Sequence, residues 1–291
     1  MKKLLFLLLL SFCSYPANAQ NDNMSGADVC SHGKMSKGHA YLHQEFDSPN
    51  TPVHSFNVLE YKLNLDLYNC FVSPYTKAYT GTNQITFRVD STINSIKLNA
   101  LNTSIGIDTI KIGNTSLAYT HTSDVVSINL DRTYNVGETV VMRIVYHHNN
   151  VTAAGFYASG GMVFTDAEPE GARGWFPCWD KPSDKALWDL TARTPTGTLL
   201  GSNGRLADST VNSGAIYYHW ISKDPIATYL MTMIGKVGYN LDVIWWKKIS
   251  NPNDSTPIRF YWNTGESGLA NIKTKMPSMM TRFSQLFCEH V

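Results

Sequence analysis

From Tyr61 to Leu67 the chain reads YKLNLDL, with Tyr61, Leu63, Leu65 and Leu67 alternating with Lys62, Asn64 and Asp66. Successive side chains of a strand point to opposite faces, so this spacing gathers the apolar groups on one side and predicts a half-buried β-strand. The same period returns in QITFRV, SIKLNA, VVSINL and VVMRIVYH, the last with Val140, Met142, Ile144 and Tyr146 on its apolar side. Ser73-Pro74, Gly113-Asn114 and Asn135-Val136-Gly137 punctuate these runs with turn-forming residues. Short strands separated in this way predict an all-β fold of antiparallel sheets packed as a sandwich or saddle. His147 and His148 end one run, and as strand neighbours they point to opposite faces, so they do not chelate one ion together.

The start of the chain is of another kind. In MKKLLFLLLLSFCSYPANAQ, Lys2 and Lys3 precede an apolar run from Leu4 to Phe12, and Ala17-Asn18-Ala19 offers a small-x-small cleavage site before Gln20. This predicts a cleaved signal peptide over residues 1–19, too short to span a bilayer, and a secreted or periplasmic product. Acylation at Cys13 is the weaker reading, because Phe12 stands where such a site wants a small residue. No later segment has the apolar run of a membrane-spanning helix. Without Lys2 and Lys3 the net charge is about −1, which gives no electrostatic reason to expect nucleic acid or an anionic membrane as partner.

Cleavage leaves about 270 residues, enough for one large domain or for one domain and part of another. Cys30, Cys70, Cys178 and Cys288 remain, and four cysteines allow three disulfide pairings between which spacing does not choose; free buried thiols stay equally open. Residues 20–52 are polar and aperiodic and read as an N-terminal arm. Cys30, His32, His39 and His43 offer metal-ligating atoms there, but Ala40 stands where a zinc-protease helix has glutamate, so a solvated linker is the preferred reading. Further on, ALWDLTART, IYYHWIS, ATYLMTMIGKVGY and IRFYWN continue the strand pattern. After Pro277, Met279, Met280, Phe283, Leu286 and Phe287 recur at helical spacing, with Pro277 suited to the first turn.

One stretch obeys neither period. FTDAEPEGARGWFPCWDKP, residues 164–182, packs acids, an arginine, large aromatics and prolines together. With its flanks, GFYASGGMVFTDAEPEGARGWFPCWDKPSDKALWDLT closely resembles the segment shared by aminopeptidases of the aminopeptidase N type, zinc enzymes of the gluzincin group. The resemblance rests on Gly155, Phe156, Tyr157, Thr165, Glu168, Pro169, Ala172, Arg173, Phe176, Pro177, Cys178, Asp180, Pro182, Lys185, Ala186, Leu190 and Thr191. FNVLEYKLNLDL, Ser202-Asn203-Gly204 and PIATYL followed by Gly235 extend it to about Val53–Phe287.

The resemblance implies that residues 53–240 form the family's N-terminal β-saddle domain and that residues 241–291 begin a thermolysin-like α/β catalytic domain, with a strand and a helix. In the family the zinc sits on an HExxH helix, beside a GAMEN loop, in the later part of that domain. None of the nine histidines here begins an HExxH, and no GAMEN-like string occurs. Two imidazoles and a carboxylate are what let such an ion activate water. The chain alone is therefore expected to bind no zinc and to hydrolyse no peptide, whereas a full-length enzyme would use zinc to remove N-terminal residues from peptides.

One functional residue carries over. The family's TQ-x-E acid binds the free α-amino group of the substrate, and it aligns with Glu168. A fixed carboxylate suits that task, since it offers an ammonium a charge-assisted hydrogen bond. Glu168 as a structural partner of Arg173 is the alternative. Asp166 replaces the usual glutamine and is a weaker candidate for the first subsite; Lys181 replaces an acid and is assigned no role. Asp180, Arg173 and Cys178 read as structural. Two other readings stay in view: a non-catalytic secreted β-domain that binds a peptide or protein, and a carbohydrate-binding β-sandwich using Trp245 and Trp246, for which a core position is preferred.

Overall fold

In the computed structural model, which describes residues 54–287, the alternation at Tyr61 lies in β1 (Phe56–Asp66). Tyr61, Leu63 and Leu65 are buried there, and Lys62, Asn64 and Asp66 are exposed. β1 pairs antiparallel with β2 (Tyr79–Val89) and parallel with β11 (Lys185–Pro195), which sets Tyr61 opposite Trp188 and Leu63 opposite Leu190. The full sheet has eight strands in the order β13 (Arg205–Asn212), β14 (Ala215–Ala227), β11, β1, β2, β8 (Thr139–His148), β4 (Ile105–Ile112) and β5 (Thr115–Ser116). All its pairs except β1 with β11 are antiparallel. Period-two alternation states which face of a strand is buried but not which strand lies beside it, so this one parallel pair could not be read from the residues.

Two smaller sheets belong to the same unit. One has the order β12 (Thr198–Ser202), β15 (Met233–Val237), β10 (Met162–Asp166) and β9 (Gly155–Ser159); the other runs β3 (Ile93–Asn99), β7 (Val125–Tyr134) and β6 (Tyr119–Thr122). The run ATYLMTMIGKVGY is not one strand. Thr228–Leu230 forms a 3-10 turn, and β15 starts only at Met233. Side-chain demands break it: the buried Thr228 hydroxyl donates to Asp180 Oδ1 at 2.9 Å, and the Thr232 N–H donates to Asn203 Oδ1 at 2.7 Å. The main core lies against one face of the large sheet, where Tyr61, Phe87, Tyr146, Trp175, Phe176 and Trp188 are fully buried or nearly so. Each such side chain contributes roughly 1.5–3 kcal/mol through removal from water.

Contacts along the chain define two units, Phe46–Asp242 with Arg259–Ser267, and a second that includes Val243–Ile258 and the chain from Gly268 onward. β16 (Asn240–Lys247) and β17 (Ser255–Trp262) form a two-stranded sheet. Within the second unit, α1 (Leu269–Phe287) begins well before Pro277, which lies inside it rather than in its first turn. Leu269, Ile272 and Met276 continue the helical spacing upstream of the proline, but a proline suits a first turn, so a start placed at Pro277 leaves these turns out. The Ile272 N–H donates to the Gly268 carbonyl at 3.0 Å, and past the proline the Thr281 hydroxyl donates to the Pro277 carbonyl at 2.9 Å. Trp246 is buried at 7% exposure and donates its Nε1–H to Thr281 Oγ1 at 3.0 Å, while Trp245 is 62% exposed. The core position expected for both holds for Trp246 alone, because adjacent strand residues face opposite ways.

Cys70 and Cys178 are free buried thiols. Cys30, Cys288, the signal segment, the N-terminal arm and its histidines lie outside the described residues. Among the described residues no helix is long and apolar enough to cross a membrane.

His148, at the end of β8, is buried with its ring stacked on Tyr79 at 5.2 Å and tilted against Phe156 at 5.2 Å. Burial pushes its pKa down to about 4. The folded protein thus holds a neutral imidazole that the unfolded chain protonates near pH 6.5. Its contribution is constant above that pH and is lost as pH falls from about 6.5 to 4, by something on the order of 3 kcal/mol. Urea unfolding across that window should show the wild type losing stability more steeply than His148→Leu, and parallel curves would show that the folded imidazole takes up its proton as readily as the unfolded one.

Candidate functional site

β9 and β10 form an antiparallel hairpin in which Tyr157 faces Phe164 and Gly155 faces Asp166. Along β10, Val163 and Thr165 turn inward, so Met162, Phe164 and Asp166 share the other side. The hydroxyl of Thr165 fixes the inward side by accepting the Met233 N–H at 2.9 Å. Beyond the strand, Ala167 is buried and Glu168 is exposed, and the Glu168–Pro169 peptide bond is cis. The alternation therefore brings Asp166 and Glu168, the two acids singled out from the sequence, to the open side. Among the described residues no hydrogen bond or ion pair reaches either carboxylate.

Past Pro169 the chain is irregular and tightly held. The Gly171 N–H returns to the Ala167 carbonyl at 2.7 Å, and Ala172–Gly174 form a 3-10 turn. Two glycines allow the hairpin's entry to pack against this turn. A Cβ on Gly155, whose φ is +97°, would sit 2.1 Å from the Gly171 carbonyl oxygen, and one on Gly174 would sit 1.9 Å from that of Ala154. Only residues without a Cβ permit so close an approach.

The carbonyls and amides of the segment find partners on the sheets around it. Ser104 Oγ donates to the Gly174 carbonyl at 2.9 Å, Asn83 Nδ2 to the Pro177 carbonyl at 2.7 Å, and the Tyr79 hydroxyl to the Trp175 carbonyl. Asn99 and Cys178 exchange backbone bonds at 2.7 and 3.0 Å, and the Tyr61 hydroxyl accepts the Trp179 N–H at 2.9 Å. Trp175 and Phe176 meet edge to face at 4.5 Å, with Tyr61 and Trp188 around them. Burial pushes the Tyr61 phenol and the Cys178 thiol well above their ordinary values, so both stay protonated and serve packing rather than chemistry.

The ionic frame differs from the pairing considered for Glu168. Arg173 Nε donates to Asp180 Oδ2 at 2.9 Å and its Nη2 to Glu170 Oε2 at 2.6 Å, so the arginine is satisfied without Glu168. Asp180 is fully buried and also accepts from Thr228. Lys181 donates to both oxygens of Glu170 at 2.9 and 3.0 Å. The reading of Asp180 and Arg173 as ties for the loop matches these contacts; the parts played by Glu170 and Lys181 were missed. Their opposite charges were a signal, but their separation along an aperiodic segment gave no geometry to pair them.

Two recesses of about 330 Å³ also escaped notice, one among Tyr157, Phe164 and Lys77 and one among His54, Phe56, Lys97 and Trp179. Among the described residues no group of three or more His, Cys, Asp or Glu side chains is placed to hold a metal ion.

A family model described as the peptidase M1 N-terminal domain matches residues 58–230. Aminopeptidase M1-A of Oryza sativa subsp. japonica is 29% identical over 153 residues, which is 50% of this chain and 16% of the rice protein. Aminopeptidase M1-B of the same plant is 25% identical over 222 residues, 72% of this chain and 24% of its own length. Among solved structures, an M1 zinc metallopeptidase from Deinococcus radiodurans superposes with a TM-score of 0.69 at 19% identity, over 79% of this chain and 53% of that one. Aminopeptidase A of Legionella pneumophila gives 0.67 at 19% identity, over 84% of this chain and 28% of its own. The chain thus spans less than a quarter of the first two relatives and about half or less of these structures.

The two sets of acids should respond differently to removal. Asp180→Ala strips a buried anion from Arg173 and Thr228 and should cost about 3 kcal/mol. Asp166→Ala and Glu168→Ala remove solvated side chains without protein partners, and each should change stability by no more than about 0.5 kcal/mol. Urea unfolding of the three variants measures this; a large loss at Glu168 would mean that it is structural after all.

Proposed function

The chain belongs to the peptidase M1 N-terminal domain family, and on that premise we propose that it is the N-terminal part of an exported zinc aminopeptidase, in which Glu168 binds the free α-amino group of a peptide substrate. The observation that carries this reading is the contrast between the loop and its acid. Residues 171–180 are fixed by buried rings and hydrogen bonds on every side, yet the carboxylate at Glu168 has no partner among the described residues. An exopeptidase must tell a terminal ammonium from an internal amide, and a held carboxylate does so with a charge-assisted hydrogen bond that needs little reorganisation. Asp166, two residues earlier on the same side, adds negative potential and borders the first subsite.

Peptides are the proposed substrates, and a structure of the Deinococcus radiodurans M1 zinc metallopeptidase with a Tyr-Ser-Ala substrate supports that class. The described residues here do not fit a zinc site, so no hydrolytic step is derived from them. Zinc and bond cleavage are assigned to a catalytic domain outside this chain, and the 291 residues alone are proposed to be inactive. Export rests on the signal-like residues 1–19.

In a protein extended to include a catalytic domain, Glu168→Ala should lower kcat/KM about 10- to 100-fold, the equivalent of roughly 1.5–3 kcal/mol for a charged hydrogen bond. N-acetylated substrates lack the ammonium, and their poor cleavage should hardly change. Equal losses on free and blocked substrates would refute the recognition role. A separate check concerns the chain as it stands: metal analysis after purification, with an aminoacyl arylamide assay, should find neither stoichiometric zinc nor turnover, and finding both would overturn the proposed inactivity.

A further inference from the structure

The open side of the β9–β10 hairpin carries more than its acids. Tyr157 and Phe164, cross-strand partners, stack at 4.9 Å with their planes 14° apart and leave a recess of about 330 Å³ beside Ser159 and Met162. Lys77 completes the lining. Its backbone N–H donates to Asn150 Oδ1 at 2.7 Å, which fixes where the side chain starts. No ion pair or hydrogen bond engages its ammonium among the described residues. The surface therefore runs from unpaired acids at Glu168 and Asp166, across an aromatic shelf, to an unpaired cation.

We propose that this surface is a two-ended site for short peptides: with the ammonium at Glu168, the Tyr157–Phe164 shelf holds an apolar side chain near the other end, and Lys77 takes the terminal carboxylate. The inference rests on the reading of Glu168 given above and deepens it by naming a substrate class. Three features carry it. The charge order acid, apolar, base is complementary to a zwitterionic peptide with a hydrophobic C-terminal residue. Phe164 and Glu168 are four residues apart, with Glu168 in the turn just after β10, so by chain length they lie at most about 14 Å from each other, a span that three or four extended peptide residues cover. A stacked aromatic pair offers a flat apolar face that loses little conformational entropy on binding. Longer chains or amidated ends would reach the shelf without the carboxylate and lose the contact at Lys77.

The test uses the 291-residue chain and NMR titration with the tetrapeptide AAAF, its C-terminal amide and its N-acetyl form, on wild type, Lys77→Gln and Glu168→Gln. In the wild type, amidation should weaken binding about three- to fivefold, as expected for one partly solvated charge contact. Lys77→Gln should bind acid and amide alike while keeping the acetylation penalty, and Glu168→Gln should lose the acetylation penalty while keeping the amidation one. Ring resonances of Tyr157 and Phe164 should shift in every case that binds. An acetylation penalty that depends on Glu168, with no effect of amidation, overturns the carboxylate end and leaves the ammonium reading standing. An amidation penalty that depends on Lys77, with none from acetylation, overturns the two-ended site, and the ammonium reading itself is then decided by the kinetics of the extended protein. Unmoved rings, or no binding of AAAF at millimolar concentration, overturn the site outright.

Discussion

Asp180 has no solvent exposure, and its two oxygens serve Arg173 and Thr228 from different parts of the chain. A buried carboxylate without partners would be expelled or protonated, so the Arg173 guanidinium and the Thr228 hydroxyl must be where they are for the fold to close. The consequences spread. Arg173 anchors the 3-10 turn just after the cis Glu168–Pro169 bond, and Thr228 interrupts what would otherwise be a continuous strand into β15. β15 is in turn the strand against which β10 pairs. One buried ion thus links the irregular loop to the hairpin that ends in the unpaired acids.

The loop is costly to build, because a segment without regular structure must find partners for its buried amides and carbonyls one at a time. Asn83, Asn99 and Tyr61 supply them from the surrounding strands and Ser104 from the turn before β4, while Trp175 and Phe176 fill the space against the large sheet. Packing of this kind leaves few alternative positions for the backbone around Glu168. A recognition group gains from that restriction, since orientation fixed during folding need not be achieved again at each encounter. Lys181 is held within the same frame by pairing with Glu170, itself shared with Arg173.

Much of this was legible where the physics is local. Strands β1, β2 and β8 announce themselves through a period of two, and Val140, Met142, Ile144 and Tyr146 are buried as that period requires. Glu168 stood out only by resemblance, since nothing in its neighbours marks it as unpaired. The parallel pairing of β1 with β11, the Glu170–Lys181 contact and the Tyr157–Phe164 shelf were not legible, because each joins residues whose proximity is decided by chain topology. The helix α1 itself was legible from its spacing, but not its start at Leu269: Leu269, Ile272 and Met276 extend the same stripe, and a proline inside the helix reads as its first turn.

The two open acids also set a limit on what the surface does in water. Asp166 ends β10 and Glu168 lies two residues on in the following turn, so their Cα atoms are at most about 7 Å apart. At that distance two unit charges repel by roughly 0.6 kcal/mol in bulk solvent, and salt reduces the figure further. Neither carboxylate is therefore strongly driven to seek a cation while solvent reaches it. If a neighbouring surface excludes water, the effective dielectric falls and both the repulsion and its relief by an ammonium grow severalfold. Recognition by this face is then weak in isolation and strengthens as the cleft around it is completed, so the same arrangement that leaves the acids unpaired in the solvated chain makes their binding energy depend on enclosure.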